Sequence, residues 1–152
     1  NKIFFIILSL NFLSHCDYKP IYSSQNKVNY KIVIINFSGD KDINNSIATN
    51  LKRNSQDVSD KVINVSYVTN YAKKVLAKNS AGSITDYQAE VITVFTIENE
   101  NNSENFSINE KFNFQKMTDK YEEKKYELNI KRNIASSISQ RLILKLAVIK
   151  WF

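Results

Sequence analysis

Cysteine, histidine, proline, methionine and tryptophan each occur once in the 152 residues, and glycine only twice. Each scarcity excludes something. A single cysteine forbids an internal disulfide. The lone histidine is His15 and the lone cysteine Cys16, so beyond residue 16 there is no imidazole for acid–base work near neutrality and no thiolate nucleophile. No Gly-rich phosphate loop and no His/Cys set at metal-ligand spacing is present, so neither cofactor nor metal is implied. Carboxylates alone can serve a glycosidase, but Glu90, Glu98, Glu100 and Glu104 fall at strand edges and in a loop. The chain is therefore not expected to be an enzyme. With so little glycine and proline, turns must lean on Asn, Asp and Ser. No internal repeat and no low-complexity tract is visible.

What is present begins with a patterned start. After Lys2 comes an apolar run, Ile3 to Leu13, interrupted only by Ser9 and Asn11. A bilayer span takes about 20 apolar residues, so the run is short for a membrane helix and has the length of a signal-peptide core. It ends at Leu13-Ser14-His15-Cys16, which resembles the lipobox of bacterial lipoproteins. In that chemistry the thiol is alkylated by a diacylglycerol donor, a peptidase cuts before the cysteine, and the freed amine is acylated. Ser14 meets the need for a small residue, whereas His15 stands where Gly, Ala or Ser is usual. Residues 1–15 are thus expected to be a cleaved signal, with Cys16 the lipidated residue. Each buried CH₂ of its acyl chains adds about 0.8 kcal/mol, and two or more chains anchor stably. Losing Lys2 takes the basic count from 21 to 20 against 15 acids, a net charge of +5. That excess can attract an anionic partner; a nucleic acid is not expected, because an exported lipoprotein does not meet one.

Residues 16–29 read as the lipidated N-terminus and a polar tether, and 30–152 as one folded domain. Tyr30 to Phe37 carries Ile32, Val33, Ile34 and Ile35 in a nearly continuous run, which suits a strand covered on both faces. Ile43, Ile47 and Leu51 fall four apart on one helical face, with Asp40 or Asp42 as cap. Lys61 to Val68 is a second strand. Asn70 to Asp86 is ambiguous: its first part can prolong that strand, and Asn79 to Ser83 reads as a turn. Gln88 to Glu98 is a third strand, Asn99 to Asn105 a polar hairpin loop. The fourth carries Phe106, Ile108, Phe112 and Phe114 on one face, interrupted by Glu110. Asp119 and Glu122 resemble a capping box, opening a helix to about Lys150 with Tyr126, Ile130, Ile134, Ile138, Leu142 and Leu146 as its stripe. The expected fold class is α+β: a β-α-β-β-β-α sandwich, its four-stranded sheet antiparallel or mixed, with two helices on one face.

With the anchor and this order in place, the chain resembles the LPS-assembly lipoprotein LptE family, in its alphaproteobacterial form. Cys16-Asp17-Tyr18-Lys19-Pro20-Ile21-Tyr22 is similar to the "CG-aromatic-x-P-L-Y" start of that branch. Ile43 to Leu51 and Asn133 to Leu142 are similar to the family's first and last helices. The resemblance implies a lipoprotein at the periplasmic face of the outer membrane that plugs and assembles with the LPS-translocating barrel LptD, and contacts lipopolysaccharide. Asp17 replaces the usual Gly, and Asp after the lipid cysteine retains some lipoproteins at the inner membrane. Lys73, Lys74 and Lys78 are the candidates for LPS phosphates, as charge-assisted donors in a basic loop; Lys124, Lys125, Lys131 and Arg132 read as the polar face of the last helix. The alternative is another envelope lipoprotein, such as an accessory subunit of β-barrel assembly or of a lipid transporter.

Overall fold

The computed structural model describes residues 28–151. They form β1 (Lys31–Gly39), α1 (Lys41–Asn54), β2 (Val62–Lys78), β3 (Ile84–Glu98), β4 (Ser103–Gln115) and α2 (Lys120–Val148). The strands lie in chain order, β1-β2-β3-β4. β1 pairs with β2 in parallel, and the other two pairings are antiparallel. The sheet is therefore mixed, and the β-α-β-β-β-α order read from the sequence is the order found. A parallel pair needs a crossover, which α1 supplies.

Local chemistry sets where each element stops. Gly39 ends β1 with φ +102°, and a Cβ there would sit 1.8 Å from the Thr69 carbonyl oxygen, so only glycine can make this exit. Asp40 then caps α1, accepting from the N–H groups of Asp42 and Ile43 at 3.1 Å each. Asp119 caps α2 in the same way, from Tyr121 and Glu122. Such a cap is worth about 1 kcal/mol. Asn organises both hairpin turns: Asn79 Oδ1 accepts from the N–H of Ala81 and Ser83 in a turn that also uses Gly82 at φ +79°, and Asn99 Oδ1 accepts from those of Asn101 and Asn102.

The core lies between one sheet face and the two helices. Ile43, Ile47 and Leu51 of α1 and Ile130, Ile138, Leu142 and Leu146 of α2 meet Ile63, Val65, Val91, Phe95 and Ile97. Tyr67 hydroxyl donates to the Asn44 carbonyl at 3.0 Å and Thr69 hydroxyl to the Asn44 side chain at 2.7 Å, whereas the buried Thr93 hydroxyl, on the residue opposite Thr69, has no hydrogen-bond partner among the described residues.

Several expectations need correcting. β1 is not covered on both faces. It is an edge strand, and a register shift between Ile34 and Asn36 turns Ile35 out to 60 % exposure. Phe37 is 42 % exposed and stacks on Tyr67, ring centroids 5.5 Å apart. The ambiguous stretch resolves into strands: β2 runs on to Lys78 and β3 starts at Ile84. Val28, read as tether, is buried in the core at 4 % exposure. Glu110 is, as read, the polar interruption on the fourth strand's inner face, where it accepts from Ser137 at 3.0 Å and Arg141 at 2.9 Å on α2.

Candidate functional site

β1 ends opposite Thr69, so β2 and β3, flanked by β4, continue alone toward the far end of the sheet. There the roof is the N-terminal half of α2. The layer beneath it is polar. Tyr71 hydroxyl donates to Glu127 Oε1 at 2.6 Å. Lys73 Nζ donates to Glu123 Oε1 at 2.8 Å and Glu127 Oε2 at 3.0 Å, and lies 4.2 Å from the Tyr87 ring centroid. Lys131 Nζ reaches Asp40 at 2.6 Å and Asp42 at 3.8 Å, over the Tyr71 ring. Lys131 is thus no member of a solvated polar face; it ties α2 to the start of α1 across 91 residues.

Burial and charge shift these groups together. Burial pulls the Lys73 ammonium down, but its hydrogen bonds to Glu123 and Glu127 and their charges outweigh that and raise it. The Lys73 hydrogen bond holds Glu123 below the usual carboxylate range. Burial, then the Glu127 hydrogen bond, pushes the Tyr71 phenol far up. On the opposite, open face Lys74 and Lys111 clamp Glu90, Lys111 at 3.2 Å, and hold its carboxyl down to about 2.

The three lysines predicted to form a basic loop therefore do not converge. They sit on a strand, where neighbours point to opposite faces. Lys73 faces α2 and is occupied by two carboxylates; Lys74 faces outward and is occupied by Glu90. Lys78, exposed at the end of β2, has no ion pair among the described residues. A cleft of about 890 Å³ opens at this end, and Lys116, Lys120, Thr85 and Asp86 line it. Sequence reading missed Lys116 and Lys120, which come together only because β4 ends and α2 begins there. It also missed Tyr71, Glu123 and Glu127. The odd-numbered parity of Tyr71, Lys73 and Val75 was the available signal. Cys16 lies outside the described residues.

The open sheet face carries Asn64, Ser66, Asn70, Thr96, Asn105, Ser107 and Asn109 with Val68, Ile92 and Val94 half-exposed among them. Thr96 donates to Asn105 and Gln88 to Asn113 across the strands. Among the described residues no three His, Cys, Asp or Glu side chains are grouped to hold a metal ion. No described helix is long and apolar enough to cross a membrane.

This is a two-layer α+β module with one sheet face roofed by helices and the other open. Solved structures of the same fold include several lipoproteins. Rare lipoprotein B from Shewanella oneidensis superposes with a TM-score of 0.58 at 13 % identity, over 78 % of this chain and 92 % of that one. A minor lipoprotein from Acinetobacter baumannii gives 0.51 at 17 % identity, over 80 % and 92 %. An uncharacterized lipoprotein B from Nitrosomonas europaea gives 0.51 at 13 %, over 80 % and 87 %. At these identities the likeness is one of fold. No family model and no curated protein sequence matches the chain.

Proposed function

We propose that the chain is a lipid-anchored lipoprotein of the cell envelope, held at the periplasmic face of the outer membrane through acylated Cys16. There it assembles with and plugs the LPS-translocating barrel LptD and has no turnover of its own. The observation that carries this reading is the conjunction of two independent ones. The sequence start, Leu13-Ser14-His15-Cys16 followed by Tyr18-Lys19-Pro20-Ile21-Tyr22, resembles the LptE family. The fold is that of solved lipoproteins, rare lipoprotein B among them.

The surface suits such docking. A plug is surrounded by its barrel, so its interface exceeds the roughly 1,200–2,000 Å² of an ordinary complex. Beside the cluster of Glu90 with Lys74 and Lys111, the open face offers amide and hydroxyl groups interspersed with Val68, Ile92 and Val94, a mixture that pairs with a polar wall. Lys78, beside the cleft lined by Lys116 and Lys120, is the best placed of the candidate lysines to meet LPS phosphates.

Depleting the protein in its host tests the reading. Mature LptD and surface LPS should fall together, and affinity purification should bring down LptD. Normal levels of both would return the chain to a generic envelope lipoprotein, and recovery of β-barrel insertion machinery or a lipid transporter would name the alternative. Separately, Cys16→Ala should abolish labelling by a clickable fatty acid; equal labelling of both proteins would sink the anchor.

A further inference from the structure

The outer edge of β2 changes character at Thr69. Up to that point its backbone is paired with β1: the Lys61 carbonyl accepts from Lys31 at 2.8 Å, and the Thr69 carbonyl from Asp40 at 3.3 Å. Both are odd-numbered residues on a strand with no irregularity between them, so odd-numbered residues of β2 turn their N–H and C=O toward the β1 side. Past Gly39 no strand lies on that side among the described residues. Tyr71, Lys73 and Val75 thus direct three donors and three acceptors outward, and no strand pairs with them among the described residues. The register shifts only after Val75, which leaves Asn70–Val75 as a regular free edge of ordinary strand length.

Folded proteins normally blunt such an edge with outward lysines or a bulge. Here the lysines are turned away from it: Lys73 is held under α2 by Glu123 and Glu127, and Lys74 on the open face by Glu90. Val75 and Leu76, both half-exposed, follow directly. The two ends of the edge carry Lys41 and Lys78, for which no ion pair exists among the described residues, while the nearby Asp40 and Asp42 are engaged by Lys131.

We infer that the Asn70–Val75 edge of β2 takes up an extended segment of a partner protein as an added strand, with carboxylate side chains near its two ends meeting Lys41 and Lys78. Backbone pairing supplies the affinity and the end charges the register. Charge also disfavours a second copy of this chain. Two such edges paired antiparallel would set Lys41 of each copy near Lys78 of the other, and like charges across a ladder repel. The inference does not depend on the barrel reading, because it needs only the edge.

The test uses the full chain and a synthetic ten-residue peptide with Glu at both ends and alternating Val and Thr between them, followed by amide hydrogen exchange. Saturating peptide should slow exchange at Tyr71, Lys73 and Val75 at least tenfold and leave Asn70, Ala72 and Lys74 unchanged. Val75→Pro, which removes one outward donor at an edge where proline is tolerated, should weaken binding at least tenfold. Lys41→Glu with Lys78→Glu should do the same. The same peptide N-methylated on every interior backbone amide, which leaves neither edge able to donate, should not bind, a comparison that stands even if a variant fails to fold. Unchanged edge exchange at saturation, or equal binding of the N-methylated peptide, overturns the inference. So does edge protection that grows with protein concentration without peptide, which would make the partner a second copy.

Discussion

Where α1 lies over the sheet, the layer between them is Ile43, Ile47, Leu51, Ile63 and Val65, all without exposure. Further along the same β2, the layer beneath α2 is Tyr71, Lys73, Glu123 and Glu127. One strand thus runs through two kinds of interior. In the first, each buried aliphatic side chain contributes about 1.5–3 kcal/mol, without direction and with little sensitivity to salt. In the second, contacts are few, directional and partly exposed, and each is worth about 1 kcal/mol or less. The apolar half decides whether the chain folds. The ionic half decides how firmly the start of α2 sits on the sheet, and it responds to salt and pH.

Breaking the apolar half should have the largest effect. Truncating a buried Ile to Ala costs about 2–5 kcal/mol, so Ile134→Ala combined with Ile138→Ala should approach the whole stability of a domain, about 5–15 kcal/mol. Urea titration should show a collapsed midpoint; a midpoint like wild type would mean this face of α2 does not hold the core. Gly39→Ala acts at the boundary between the halves. It adds a Cβ against the Thr69 carbonyl and forces an L side chain to φ +102°, costing about 1–3 kcal/mol for the backbone strain alone. Thermal melting measures it, and a drop of only a few tenths would show that β1 can shift to make room.

The ionic half should yield less. A double-mutant cycle on Lys73→Met and Glu127→Gln should return a coupling of about 1 kcal/mol at low salt. It should shrink in 1 M NaCl; a coupling unmoved by salt would point to packing. Acid should act on this half and on the ion pairs of the open face together. Lys74, then Lys111, hold Glu90 at about 2 against an ordinary 4.5, and Glu123 is depressed by Lys73 in the same sense. A lowered folded-state value stabilises above the ordinary one and is lost as pH falls, so stability should decline between pH 4.5 and about 2. Glu90→Gln with Glu123→Gln should flatten that slope. The raised Lys73 works oppositely: its contribution is complete below its ordinary 10.5 and disappears as pH rises through the folded value.

The two halves also differ in how far the sequence disclosed them. Period-four spacing of Ile43, Ile47 and Leu51 and the long stripe of α2 announce the apolar half, because apolar burial leaves a repeating trace. The ionic half leaves none. Lys131 finds Asp40 across 91 residues, and no local pattern encodes that meeting. A tract such as Tyr71-Ala72-Lys73-Lys74 hides its alternation because lysines occupy both parities. β1 misled for another reason: its run of Ile and Phe is that of a buried strand, yet it lies at the edge with Ile35 turned out. The candidate site was legible as a charge excess near residues 73–78, but not as a geometry, since Lys116 and Lys120 arrive from another element.

β2 and β3 remain paired from Asn64 and Glu98 at one end to Lys78 and Ile84 at the other. Their hydrogen bonds lie across the strands. Tension applied along the sheet, between the beginning of β1 and the far tip, would therefore be carried by β2 and β3 together and load the β1–β2 pairing in shear instead of peeling it bond by bond. Mechanically the domain is a bar: it should yield abruptly and at high force when pulled end to end, and open at low force when β1 is drawn sideways from β2.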